Sequence, residues 1–113
     1  MTAKFLFSQW NLKPGEKDIT IMQIIVQGEK NGKTREYRWD LLDKYDTETQ
    51  THSMARTTGY TATTVLRLLK EGLFNKKGII TPEIIGKDEV CVKFILEKLQ
   101  QRNIVYRPTI TDL

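Results

Sequence analysis

The residue types able to do chemistry are few, and most lie close together in the middle of the 113-residue chain. Asp43, Asp46, Glu48 and His52 precede Arg56-Thr57-Thr58-Gly59, and Cys91 stands alone further on. A guanidinium is planar, permanently charged and bidentate, which suits the carboxylate of an amino-acid ligand. Two hydroxyls and a glycine beside it allow close approach of a polar ligand. Arg56, Thr57, Thr58 and Gly59 are therefore the candidate substrate-binding residues. The competing reading is that Gly59 lets its helix pack tightly, while the threonines pack or bond to the preceding turn. The acids at 43, 46 and 48 are spaced like cation ligands, yet the segment lacks the turn glycine and terminal glutamate of a calcium loop, so a solvated connector is expected. His52 is the only histidine. No triad or His-rich metal site can be assembled from this chain, and no catalytic or metal-binding residue is assigned. Cys91 falls on an apolar helix face and reads as a small core residue.

The elements that must position these groups follow from patterning. Pro14-Gly15 marks a turn in the polar lead-in. Ile19 to Val26 is apolar on both faces and reads as a strand covered on both sides. Asn31-Gly32 signals a hairpin, and the return strand from Lys33 to Leu42 puts Arg35, Tyr37, Trp39 and Leu41 on one face. That strand alternates, so an edge or partner-facing position is expected for it. Residues 43 to 52 form the polar connector. A long helix then starts at Ser53, capped by Ser53 or Thr51, and stops with Gly72 in the C′ position. Its predicted apolar stripe is Met54, Thr58, Ala62, Val65, Leu66 and Leu69, at spacings of three and four. Gly59 sits inside it, where glycine costs about 1 kcal/mol relative to alanine. Thr81-Pro82 begins a short helical turn. Asp88 caps a second helix reaching about Arg102 and burying Cys91, Phe94, Ile95 and Leu99. Ile104 to Tyr106 closes the chain as a short strand, with fraying expected beyond Pro108. The fold class is α+β: an antiparallel hairpin, two main helices and a terminal strand.

Composition bounds the rest. Hydrophobic residues make up 39% and charged residues 28%, a globular balance in one domain. No apolar run is long enough to span a membrane, and Phe5-Leu6-Phe7 is too short for a signal-peptide core. One cysteine cannot form an internal disulfide, which fits a reducing cytoplasm. The net charge is +4, but lysines and arginines are interspersed with acids, which reads as a mixed-charge surface.

Three segments in order resemble the C-terminal part of the saccharopine dehydrogenase and lysine 6-dehydrogenase family. They are Leu12-Lys-Pro-Gly-Glu-Lys-Asp18 with its following strand and Gly28-Glu29, then Ser53-Met-Ala-Arg-Thr-Thr-Gly59, then Gly72 with Gly78-Ile-Ile-Thr-Pro-Glu83. The resemblance runs from about residue 12 to 103. It implies an NAD(P)-dependent oxidoreductase acting on a carbon–nitrogen bond, with an N-terminal Rossmann half and a second domain that shapes the amino-acid site and commonly forms a homodimer. The chain has no Gly-x-Gly-x-x-Gly. Residues 1–113 are therefore expected to be a single C-terminal domain that holds no cofactor, NAD or NADP belonging to the full-length enzyme. Thr61 stands where many relatives carry proline. Implied partners are a second copy, the Rossmann half and the amino-acid substrate. Two alternatives remain: a stand-alone dimerising module, and a winged-helix nucleic-acid binder. The latter is disfavoured because Arg67 and Lys70 are its only exposed helix cations and the hairpin precedes the helix.

Overall fold

A computed structural model describes residues 12–113; Phe5-Leu6-Phe7, on which the signal-peptide reading rests, lies outside them. The elements are β1 (Ile19–Lys30), β2 (Lys33–Lys44), α1 (Ser53–Lys70), α2 (Pro82–Gly86), α3 (Glu89–Gln100) and β3 (Tyr106–Asp112). The class is α+β, as expected, with a three-stranded antiparallel sheet of order β1-β2-β3.

Asn31 (φ 56°) and Gly32 (φ 73°) turn the hairpin with Lys30 opposite Lys33. Both central residues need positive φ in such a turn, which asparagine and glycine tolerate best. The strands outrun the expectation, β1 continuing past Val26 and β2 past Leu42. Arg35, Tyr37, Trp39 and Leu41 share a face as predicted, opposite Gly28, Val26, Ile24 and Met22 of β1.

Three expectations for the sheet are corrected. β2 is central, because the segment expected to fray beyond Pro108 pairs along it as β3, from Leu41–Tyr106 to Arg35–Asp112. The Leu113 N–H donates to the Thr34 carbonyl at 3.0 Å, so odd-numbered residues of β3 turn their peptide groups to β2 and Pro108 faces outward. A proline is tolerated there, on an edge strand with its missing donor turned away from the ladder. β1, expected to be covered on both sides, is the other edge among the described residues, and there Ile21 is 75% and Val26 52% exposed. Among the described residues, the helices cover only the end of the sheet near Leu41 and leave the apolar run of β1 exposed.

α1 has 18 residues, and its N-cap is His52, which makes no side-chain cap bond. The Asp18 carboxylate supplies the cap from the far side of the hairpin, accepting the Ser53 N–H at 2.6 Å and the Met54 N–H at 2.9 Å. The expected cap at Ser53 or Thr51 is thus replaced by an acid 35 residues earlier. Gly72 (φ 71°) ends the helix as predicted. Its N–H donates to Leu69 O and that of Leu73 to Leu68 O, the two reversed bonds of a Schellman ending.

The face that α1 buries is not the predicted stripe. Ser53, Arg56, Thr64 and Leu68 are buried, whereas Met54 and Leu66 are each 65% exposed. Periodicity finds a helix, but here the polar partners at the sheet decide which side faces inward. In α2, Thr81 precedes Pro82 as predicted. Asp88 caps α3 through Val90 N–H and Cys91 N–H. Two small clusters form the core: Leu41, Leu99 and Ile104, and Leu68, Phe74 and Cys91, with Ile95 touching both.

Candidate functional site

The chemistry-bearing residues converge where β2 ends and α1 begins. Asp43 is 4% and Arg56 6% exposed, so the expectation of a solvated connector fails at its first residue. Arg56 uses all three guanidinium nitrogens within the chain. Nε and Nη2 reach Asp43 at 3.3–3.4 Å, Nη1 reaches Asp46 at 2.9 Å, and Nη2 also donates to the Arg102 carbonyl at 2.9 Å. Ser53 Oγ donates to Asp43 Oδ2 at 2.6 Å and lies 2.8 Å from Thr20 Oγ1. A buried ion pair requires this density of bonds, since removing both charges from water is costly unless each lone pair and proton is matched. The Tyr60 ring takes the Arg56 guanidinium at 5.7 Å and that of Arg102 at 5.1 Å.

The connector is tied at both ends. Asp46 and Thr51 exchange backbone bonds of 2.9 and 3.1 Å, and Asp46 Oδ1 accepts the N–H groups of Glu48 and Thr49. The Thr49 amide draws the Asp46 carboxyl below its usual range; burial opposes this, while the Glu48 amide and Arg56 reinforce it. For Asp18, burial is the largest influence and pushes upward. The N–H groups of Met54 and Ser53, with His52, outweigh it and hold the group low. Helix N-terminal amides favour the ionised carboxylate. His52 stands edge-on to Tyr45, with Nδ1 3.4 Å from Asp18. Cys91 is buried against the Leu73 carbonyl at 3.6 Å, and burial raises its thiol pKa, as befits an inert core residue.

Of the four candidate residues, Arg56 is inside and engaged. Thr57 Oγ1 donates back to Ser53 O at 3.0 Å. Thr58 and Gly59 face outward. A Cβ at Gly59 would meet nothing within 4 Å, so no close packing within the described residues accounts for this glycine. Sequence reasoning missed Asp18, Thr20 and Tyr60 as members of this network. Asp18 carried one signal, an acid just before a strand with no local helix to cap. Thr20 pairs with Ser53 across 33 residues and leaves no local trace, whereas Tyr60 stands one turn after Arg56 in α1, an i,i+4 spacing that could have signalled it.

Among the described residues, neither long helix offers its N-terminus to a dinucleotide. The N-terminal amides of both long helices already bind carboxylates, Asp18 on α1 and Asp88 on α3. A pyrophosphate needs those amides open and unopposed by negative charge. Among the described residues, no helix is long and apolar enough to cross a membrane.

No solved structure matches the chain. The profile of the saccharopine dehydrogenase C-terminal domain matches residues 1–105, and it spans the Asp18 cap, the hairpin and the Asp43–Arg56 network. This protein belongs to the saccharopine dehydrogenase C-terminal domain family.

Proposed function

We propose that this domain is the substrate-shaping and dimerising half of an NAD(P)-dependent, cytoplasmic oxidoreductase that acts on the C–N bond of lysine, saccharopine or a related amine. The observation that carries this reading, beyond family membership, is the outer face of α1. Met54, Thr58, Gly59, Ala62, Leu66 and Leu69 lie exposed along one side, apolar or small, with an open space over Gly59. An exposed surface of that kind normally meets another protein surface, and small residues allow a close helix approach. The dinucleotide-binding half is the partner we assign to it.

Within this reading, the Arg56–Gly59 segment borders the amino-acid site. Thr58 and Gly59 are its outward-facing members, and Arg56 holds the wall behind them. Hydride transfer itself requires the dinucleotide held by the other half.

A homodimer is supported by the outer edge of β1, which no other described residue pairs. The Lys30–Lys33 closing pair makes even-numbered residues of β1 face β2, so Ile19, Ile21, Gln23, Ile25, Gln27 and Glu29 direct their peptide groups outward. A second copy could continue the sheet there. The same edge favours the alternative of a stand-alone dimerising module.

The test is to read the gene upstream of Met1 and assay the protein it encodes. An in-frame Gly-x-Gly-x-x-Gly half, with lysine- or saccharopine-dependent formation of NAD(P)H, is the expected result. A stop codon directly upstream, or a full-length protein inert toward amines with both dinucleotides, would reject the dehydrogenase reading.

A further inference from the structure

A cleft of about 760 Å³ opens just past the last turn of α1, at the opposite end of that helix from the Asp43–Arg56 network. The apolar part of its lining is Leu73 and Phe74, from the connector after α1, and Ile84 of α2. Phe74 belongs to the buried cluster with Leu68 and Cys91. Leu73 is pinned on both sides, its N–H donating to Leu68 O at 3.3 Å and its carbonyl accepting from Cys91 Sγ at 3.6 Å. Asn75 Nδ2 donates to Gly72 O at 3.0 Å. The apolar floor is therefore held in place by the chain itself.

The rim is cationic. Lys76 comes from the connector and Lys87 follows α2; both are exposed, and neither is ion-paired among the described residues. Residues 1–11 contain no acid. Lys77 adds a third exposed charge on the same connector. Asp88, the only acid among the described residues that line the cleft, is engaged by the Val90 and Cys91 N–H groups at 2.9 and 3.2 Å. The connector also carries unmatched main chain. From Phe74 to Ile80, no peptide N–H or C=O is hydrogen-bonded to another described residue, and the Ile79 side chain is fully exposed. An apolar floor, free peptide groups and a rim of one charge are what a bound peptide uses: main-chain bonds and pockets hold it, and the rim selects its sign. Three lysines are few for a nucleic-acid backbone, which would also leave the apolar lining unused.

We propose that this cleft docks an acidic peptide segment of a partner protein. One apolar side chain of the peptide sits against Leu73, Phe74 and Ile84, carboxylates flanking it meet Lys76 and Lys87, and its main chain lies beside Phe74–Ile80. Lysine suits such a rim, because a flexible point charge accepts carboxylates over a range of positions. The site uses neither the outer face of α1 nor the edge of β1. It therefore goes beyond the dehydrogenase and dimer readings, and its failure would leave both standing.

The experiment is fluorescence polarisation of a labelled Glu-Asp-Leu-Phe-Asp-Glu peptide titrated with the full 113-residue chain, with amide shifts of the ¹⁵N-labelled chain to locate it. Binding should saturate, with shifts centred on residues 73–79 and 84–88. Each of Lys76→Glu and Lys87→Glu should weaken it by about tenfold, and so should serines in place of the peptide's Leu-Phe. Both lysines are exposed, so an otherwise unchanged spectrum verifies that the variants are folded. The serine peptide needs no variant at all. The double reversal should instead prefer a Lys-Arg-Leu-Phe-Arg-Lys peptide. Absence of saturable binding, undiminished binding to the double reversal, or equal binding of the serine peptide would overturn the site. Displacement of the peptide by a short DNA duplex at equal charge concentration would overturn it too, and assign the lysines to nucleic acid.

Discussion

The two ends of the hairpin differ sharply in how they are held. At the proximal end, Asp18, Thr20 and Asp43 are bonded to the first turn of α1, and Leu41 lies 2% exposed under α3 and Ile104. At the distal end, Ile24, Ile25 and Val26 are 43–52% exposed, although their β-propensity and apolarity are at least as high. Tyr37 and Trp39 stack on each other there, at 6.1 Å between ring centroids, rather than under a helix. The strand chemistry is the same at both ends; the difference is what lies above it. The proximal end is a structure this chain completes by itself. The distal end and the outer face of α1 have the composition of buried surface, with no cover from the described residues.

That contrast predicts effects of very different size. The largest is at the buried pair. Arg56→Ala leaves Asp43 without its counter-charge and should destabilise the fold by about 3–5 kcal/mol in urea unfolding. Arg56→Lys should recover little of this, because an ammonium cannot reach both Asp43 and Asp46 in the same planar geometry. A loss below about 1 kcal/mol would mean that the network is not what holds the proximal end together.

Next is the distant cap. Asp18→Ala should cost about 1 kcal/mol, as removal of a helix N-cap does. The folded carboxyl of Asp18 titrates below its unfolded value, so its stabilisation is present above the unfolded value and is lost as pH falls through the folded one. Stability of the wild-type chain should therefore decline as pH is lowered from about 5 toward 2. Asp18→Asn should flatten that decline, although Asp46, also held low, preserves part of it. An unchanged pH profile would remove Asp18 from the account.

Gly59→Ala sharpens the contrast from the other side. Since a Cβ there meets nothing, the isolated chain should gain up to about 1 kcal/mol from better helix propensity. In the full-length enzyme proposed above, the same methyl should disturb docking and lower kcat/KM. A stabilised chain with unaffected full-length activity would show that nothing packs over Gly59.

The smallest stability effect is expected at the exposed edge. Ile21→Lys, at a residue 75% exposed, should change stability by less than about 0.5 kcal/mol while abolishing the self-association proposed for the β1 edge, read by sedimentation velocity. A large loss of stability without any change in association would contradict a free edge.

Local signals were legible in the sequence; the assembly of those signals was not. Asn31-Gly32, Gly72, Pro82 and the Asp88 cap each act within a few residues, and each appears where its backbone chemistry demands. The inward face of α1 could not be read, because it depends on Ser53 and Arg56 meeting Asp43, and a hydrophobic stripe cannot report a polar contact. The expected fraying after Pro108 followed from its closeness to the chain end, whereas the last residues pair with β2 and Pro108 sits where its missing donor turns outward. Arg56 was recognisable as a residue built for carboxylates. That its carboxylates are Asp43 and Asp46 of the same chain depends on the hairpin bringing β2 back against α1.

Residue-resolved amide hydrogen exchange on the isolated chain tests the contrast most directly. The account predicts that the amides of Ser53, Met54, Leu41 and Asp43 exchange only through global unfolding, while those of Ile24–Lys30 and Arg35–Trp39 open locally and exchange much faster. Equal protection at the two ends of the hairpin would contradict it, because the distal end would then be held as firmly by this chain as the proximal one.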